Sequence, residues 1–389
     1  GYACDAEMGA GDEAIAVLGH LDVVPAGDGW QTPPFTPTRD GDRIYGRGTS
    51  DDKGPVIASL LAMKAIRDAG IPLKRKIRLI LGCDEESNWE DMAYYTAHAD
   101  MPRIGFSPDA SFPVINTEKG MLHFQLKAEA AKTGLQVKHW MTGERVNVIP
   151  GHAEMLLEGG EALAEQVRAY AKETGLPYTA EATAEGVKVT AEGIPGHSAY
   201  PEGRRNAIGM MLCLLLRLGV EGPLKTITEA VGMEHDGASL GCACADKVSG
   251  PLTCNMGIMR VENGQIFCTL DDRCPVEADQ EKLIAATRAH LPGVQVEVIE
   301  QKAPHHVPAE SELVSSLLAA YHEETGLPAE ACSTGGGTYA KVLEQGVAFG
   351  ASFPDDEDLA HQANEYATIS GLMKSMRIYA NALVRLAGE

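Results

Sequence analysis

Two histidines and a set of carboxylates stand where apolar runs end. Residues 14–24 (AIAVLGHLDVV) carry His20 and Asp22, and residues 79–88 (LILGCDEESN) place Asp84, Glu85 and Glu86 in a row. Asp51 follows GRGTS, Asp109 follows RIGFSP, and His361 follows the acids Asp355, Asp356, Glu357 and Asp358. Adjacent like charges repel, so three carboxylates at the end of a core strand need something positive nearby. Two divalent cations sharing one bridging carboxylate would satisfy such a set. Each would take one His, one terminal carboxylate and the bridge, leaving a position for water. Mixed nitrogen and oxygen ligands suit zinc or manganese rather than calcium, which prefers oxygens. Asp22, two residues along from His20 on the same strand face, is placed to accept the other ring N–H of that His. Glu85 and Glu86 point opposite ways on an extended segment, so one can ligate while the other faces the water as general base.

These side chains need elements to hold them. The apolar patterning predicts strands over 14–24, 76–82, 103–106 and 346–353, and a helix over 55–69 that starts at Pro55 and stops at Gly70. A long helix is expected from near His361 to about Leu386. Strand, loop and helix in alternation define an α/β fold, in which ligands gather beyond the carboxyl ends of the strands. From about residue 117 to 302 the pattern changes to short alternating strands (122–127, 187–192, 253–261, 265–270, 294–299) mixed with helices (161–174, 206–218, 279–290). The simplest architecture is one α/β domain in two segments, 1–116 and 303–389. A large α+β domain, 117–302, is inserted between them, and its element order suggests two related halves.

Composition narrows the partners. The 389 residues carry 55 acidic against 33 basic side chains, a net charge of −22. That balance argues against nucleic acid and against anionic membrane, both of which need a cationic face. Nine scattered cysteines with no C-x-x-C pair read as reduced thiols in a cytoplasmic protein. The most apolar run, 210–216, is too short to span a membrane. The chain opens Gly1-Tyr2 rather than Met, so an N-terminal piece is expected to precede it.

GHLDVVPAGDGW, GRGTSDDKGP, DEES, SPDAS and HQANEY, in this order, resemble the motifs of the two-metal aminoacylase/carboxypeptidase G family of metallopeptidases. Within it, the chain is most similar to bacterial peptidase V and carnosinase-type dipeptidases. The resemblance covers essentially the whole chain. It implies a discontinuous catalytic domain with an inserted lid, and Asp51 as the carboxylate shared by both metals. His20 and Asp109 would complete one site, and Glu86 and His361 the other. Glu85 would be the general base, and Asp22 would orient His20. A cis peptide is expected at Asp51-Asp52. In the lid, Ile194-Pro195-Gly196-His197-Ser198 is similar to a G-x-x-x-H motif, with Ile194 and Pro195 departing from its usual small and basic residues. His197 would help polarise the scissile carbonyl, with Asn147 beside it. Arg273 would grip a substrate carboxylate, and the loop 333–340, through Gly336, Gly337 and Thr338, would close around the substrate's C-terminal end. A lid this large resembles two lid units in one chain, which implies a monomer.

The expected activity is therefore hydrolysis of the amide bond of a small peptide, a dipeptide, by a metal-bridging water. Zn²⁺ is the expected metal, with Mn²⁺ or Co²⁺ as alternatives. The rival within the family is deacylation of N-acyl amino acids, and the rival outside it is a non-catalytic metal-dependent binding protein, which has no use for Glu85 or Asp22. Plainer readings exist for single residues. A lone His20 would be a hydrogen-bonded core residue, His197 a surface His, and Arg273 a partner of Asp271 or Asp272. GGGTYA could be a plain turn, and it is no phosphate loop because Lys341 is misplaced for one. His305-His306 sits in a Pro-flanked connector. Asp84 has no evident role.

Overall fold

The computed structural model of the chain describes residues 2–357 and 359–388. Asp358, one of the acids noted ahead of His361, lies outside the described residues. The chain forms two compact units, Gly1–Glu118 with His305–Glu389, and Lys119–Pro304.

The first unit is built on an eight-stranded sheet. Its path runs Cys4–Met8, Lys76–Gly82, Ala14–His20, Ile104–Ser107, Gln345–Ala348, Val114–Glu118 and His305–His306, with Ala331–Thr334 joined to Val114–Glu118. Lys76–Gly82, Ala14–His20, Ile104–Ser107 and Gln345–Ala348 are parallel neighbours, so their carboxyl ends share one edge. Alternate residues serve opposite faces. Ile15, Val17, Ile77, Leu79 and Phe106 pack with Ala62 and Ile66 of the helix Lys53–Asp68 and Leu383 and Leu386 of the helix Ile369–Ala387. Ala16, Leu18 and Ile80 pack on the other side with Met92, Tyr339 and Leu343. Burial of both faces explains why these strands read as unbroken apolar runs.

Three expected elements differ in extent. The strand expected over 14–24 ends at His20 because its neighbour also ends there, with His20 paired to Gly82. The run 346–353 breaks into Gln345–Ala348 and Ala351–Ser352. Between them Gly350 has a φ of 87°, and a Cβ there would strike Phe112 and the Tyr379 hydroxyl, so only glycine suits the position. The last helix starts at Ile369 rather than near His361. Its N-terminus is set by the Thr368 hydroxyl, which accepts the Gly371 N–H, while His361 and Asn364 upstream have φ of 64° and 63° and cannot continue a helix.

The second unit carries one antiparallel eight-stranded sheet. The order is Tyr178–Ala182, Val187–Glu192, His152–Leu157, Val137–Thr142, Thr253–Glu262, Gln265–Cys274, Gly120–Glu129, Gln295–Lys302. Trp140, Met155, Val189 and Leu270 from these strands join Val167, Met211, Leu215 and Ile284 from the helices Glu161–Thr174, Ala207–Arg217 and Gln280–His290 in one core. Residues alternate between more and less exposed along Val187–Glu192 and Gln295–Lys302, the pattern of a sheet covered on one face, whereas most residues of the central strands Thr253–Glu262 and Gln265–Cys274 are buried. No helix among the described residues is long and apolar enough to cross a membrane.

Candidate active site

The carboxyl edge of the parallel strands collects the polar residues of the first unit. Beyond Gly82, the buried Asp91 carboxylate accepts the Cys83 N–H at 2.6 Å, the Asp84 N–H at 3.1 Å and the Tyr339 hydroxyl at 2.5 Å. A Cβ at Gly82 would strike Asp91 and Tyr339. Asp84 accepts the Glu90 N–H at 2.8 Å at the start of the helix Glu90–His98, which gives this acid a capping task. The turn so fixed presents Glu85 and Glu86. Their N–H groups both donate to the Asp22 carboxylate, at 3.3 and 3.1 Å. The same carboxylate lies 3.3 Å from His20 Nδ1, leaving Nε2 of that ring to face the site. Asp22 thus sets the His20 ring and the backbone of both glutamates.

Asp51 is held from behind. Glu365, fully buried, accepts the N–H groups of Gly48 (3.0 Å), Ser50 (2.9 Å) and Asp51 (3.3 Å) and the Ser50 hydroxyl (3.1 Å). It pairs with Arg47 Nη1 at 2.7 Å. The Asp51-Asp52 peptide is cis, and buried Asp52 accepts the His20 N–H at 3.2 Å.

The side chains converge on Asp51. Its Oδ1 lies 3.0 Å from His20 Nε2, and its Oδ2 lies 3.0 Å from His361 Nε2. His20 Nε2 has Asp109 at 3.8 Å, and His361 Nε2 has Glu86 at 3.1 Å. Donor atoms of His20, Asp51 and Glu86 lie within 4.8 Å of one another, as do those of His20, Glu85 and Asp109. The structure therefore brings together His20, Asp51, Glu85, Glu86, Asp109 and His361, with Asp22 directly behind His20.

Burial and crowding of like charges set the protonation of this cluster. Burial, reinforced by Asp109 and Glu86, pushes Glu85 well above the usual carboxylate range. Burial also raises Asp109. Asp51 goes the other way: burial would raise it, but His20 and His361 prevail and hold it low. His361, between Asp51 and Glu86, is pushed up to about 10. For His20, burial acts downward, yet Asp109, Asp22 and Asp51 overrule it and raise it. Imidazole nitrogens and carboxylate oxygens at these separations, with one carboxylate showing an oxygen to each ring, fit a pair of divalent metal ions.

A cavity of about 770 Å³ opens over Asp51, Glu85, Glu86, Asp109 and His361 and reaches Gly336, Gly337 and Thr338, a volume suited to a small molecule. Thr338 donates its N–H (3.2 Å) and its hydroxyl (2.8 Å) to buried Glu118. Its donors thus anchor the loop, and Gly336 and Gly337 form the open wall.

The remaining expected site residues lie in the second unit. His197, exposed, pairs in register with Val148, one residue beyond Asn147, and Ser198 N–H donates to the Asn147 carbonyl at 3.1 Å. His197 Nδ1 accepts the Ala199 N–H at 3.2 Å, so the neutral ring carries its proton on Nε2. Arg273 is buried, with Nη2 2.9 Å and Nε 2.8 Å from Asp271. Sequence reasoning missed Glu365, Asp91 and Glu118. Glu365 had one signal, its place in HQANEY four residues after His361.

Comparison with known proteins agrees with this geometry. Residues 16–385 match the profile of peptidase family M20/M25/M40, and the chain belongs to that family. It is 36% identical over 399 residues to the Bacillus subtilis protein named "Putative dipeptidase YtjP", covering 100% of this chain and 86% of that one. It is 34% identical over 408 residues to "Putative dipeptidase SSP1012" of Staphylococcus saprophyticus, covering 98% and 85%. Among solved structures, the fold is shared with the aminoacylhistidine dipeptidase of Vibrio alginolyticus (TM-score 0.60, 15% identity, 100% of this chain and 88% of that one). It is also shared with the di-peptidase Dug1p of Saccharomyces cerevisiae (TM-score 0.58, 15% identity, 98% and 82%).

Proposed function

We propose that this chain is a two-metal dipeptidase. The observation that carries the reading is Asp51, whose two oxygens each lie 3.0 Å from a different imidazole, each imidazole being backed by its own acid. His20, Asp109 and Asp51 would hold one ion, and His361, Glu86 and Asp51 the other. Zn²⁺ suits these donors best, with Mn²⁺ or Co²⁺ as alternatives. When bound, such ions would acidify a water and offset negative charge on a substrate carbonyl oxygen. The protein's own part is proton transfer and grip. Glu85 takes the proton from the attacking water and returns it to the leaving amine, a task suited to a carboxylate raised by burial. Asp22 keeps the His20 ring in one orientation. His197 donates from Nε2 toward the scissile carbonyl, with Asn147 beside it. Arg273 and the Gly336–Gly337 wall take the substrate's C-terminal carboxylate. The names carried by the relatives support a dipeptide substrate. The nine free cysteines support a reducing, cytoplasmic setting, and the large insert supports a monomer.

The test is to strip the enzyme with a chelator, restore Zn²⁺, Mn²⁺ or Co²⁺ singly, and assay free dipeptides, β-alanyl dipeptides and N-acetyl amino acids. Restored cleavage of free dipeptides by at least one metal is expected. Cleavage of N-acetyl amino acids alone would make it a deacylase, and no hydrolysis with any metal would sink the enzyme reading.

A further inference from the structure

We infer that Glu365 is a positioning residue that fixes the shared ligand Asp51 relative to His361 before any metal arrives. The inference rests on the two-metal reading above. Glu365 is 0% exposed. A carboxylate so buried needs hydrogen-bond donors around its oxygens, and among the described residues its donors come from the Asp51 loop. They are the N–H groups of Gly48, Ser50 and Asp51, the Ser50 hydroxyl and the Arg47 guanidinium.

Glu365 reaches the two neighbouring loops as well. Arg47 holds the Ala26 carbonyl at 3.1 Å and lies 5.2 Å over the Trp30 ring, and Trp30 Nε1 donates to the same carbonyl at 2.8 Å. This secures the segment that follows His20 and Asp22. Glu365 is also four residues from His361 along the chain, and Asn364 between them accepts the Gln31 N–H at 2.8 Å and donates to the Gly29 carbonyl at 3.2 Å. One buried acid therefore ties the loop of the bridging ligand to the loop of one terminal ligand.

The tie has work to do because the two Asp51 oxygens must each meet a different imidazole, at 3.0 Å. Hydrogen bonds from the Asp51 and Ser50 backbone to Glu365 hold the carboxylate in that orientation. His20 has separate anchors in Asp22 and Asp52. Loss of Glu365 should therefore weaken the site closed by His361 and Glu86 more than the site closed by His20 and Asp109. Outer partners of this kind change metal affinity by about 10–100-fold.

The experiment titrates Zn²⁺ alone into metal-free full-length wild type, Glu365→Gln and the double variant Glu365→Gln/Arg47→Met, reading stoichiometry and affinity by calorimetry and elemental analysis. The double variant removes the buried guanidinium that the single one would leave uncompensated. Wild type is expected to bind two Zn²⁺, and each variant to keep one near wild-type affinity and weaken the other by at least tenfold. Two sites of unchanged affinity in the variants, or equal weakening of both, would overturn the inference. Failure of wild type itself to take up two Zn²⁺ would instead overturn the two-metal reading, and this inference with it. If neither variant folds, amide hydrogen exchange on metal-free wild type decides. The Gly48, Ser50 and Asp51 amides should be protected, and exchange at open-loop rates would overturn the inference.

Discussion

Each unit buries acids at strand ends, and the two clusters are neutralised in different ways. In the inserted unit the Asp271 carboxylate, 0% exposed, meets the Ser198 hydroxyl at 2.5 Å, Arg273 Nη2 at 2.9 Å and His123 Nε2 at 3.2 Å. His123 reaches on to Glu300, 2.8 Å from Nδ1. In the other unit Asp51, Glu85, Glu86 and Asp109 crowd together, and their ion-pair partners within that unit, among the described residues, are the imidazoles of His20 and His361. Titration follows. Burial would raise Asp271, but His123 and Arg273 prevail and bring it to about 2. At Glu85 burial and neighbouring acids act together, and the carboxyl rises. A buried acid supplied with its own cations carries its counter-charge within the fold, whereas a cluster whose acids outnumber its imidazoles is suited to receive cations from solution.

The largest way to test that contrast is Glu85→Gln. Loss of the proposed general base should lower turnover by about 10²–10⁴-fold while metal content, measured by elemental analysis, persists. Retained turnover would show that Glu85 only crowds the site. The next effect belongs to the complete cluster. Asp271→Asn removes the charge that faces Arg273 and one of the two acids that face His123 in a buried place, and removing one partner of such a pair costs about 3–5 kcal/mol. Urea unfolding should show that loss with the number of bound metals unchanged. A variant as stable as wild type would mean that the Asp271 cluster is not a closed structural unit, and the contrast would fail.

How much of this could be read from the sequence depends on how local each feature is. The strands ending at His20, Gly82 and Ser107 declare themselves because each is an apolar run stopped by polar residues. The acids beyond them are conspicuous because like charges there make no sense without a partner. The break at Gly350 and the late start of the last helix were hidden, because they follow from a positive φ and from Thr368 taking the cap rather than from any apolar period. Asp84 looked idle because its partner, the Glu90 N–H, lies across a turn. Glu365 was the least legible. A buried Glu followed by an aromatic carries no periodic signal, and its donors lie more than 300 residues earlier in the chain. His123 was likewise without a signal, since its two acids come from strands that pair with its own only in the folded sheet.

His123 also offers the finest test of the contrast, through pH. Burial acts to lower this imidazole, but Asp271 and Glu300 outweigh it and hold it above its ordinary 6.5. Its contact with His123, ahead of the opposing effect of burial, brings Glu300 from 4.5 to about 2. A raised base contributes stability that is complete below its unfolded pKa and is lost as pH rises through the folded one. A lowered acid contributes stability that is complete above its unfolded pKa and is lost as pH falls through the folded one. Both contributions are therefore whole between about pH 4.5 and 6.5, and the His123 part fades on the alkaline side. His123→Gln keeps a donor but no charge, so its destabilisation should be greatest in that window and shrink as pH rises. Glu300 is 39% exposed at the side chain, so solvent screening limits its share, and the pH-dependent part should be at most about 1 kcal/mol. Urea midpoints of wild type and variant at pH 5.5 and 8.5 measure it. A difference that is constant with pH, or that grows toward alkaline pH, would show that the imidazole is not charged between its acids and that this cluster does not supply its own cations.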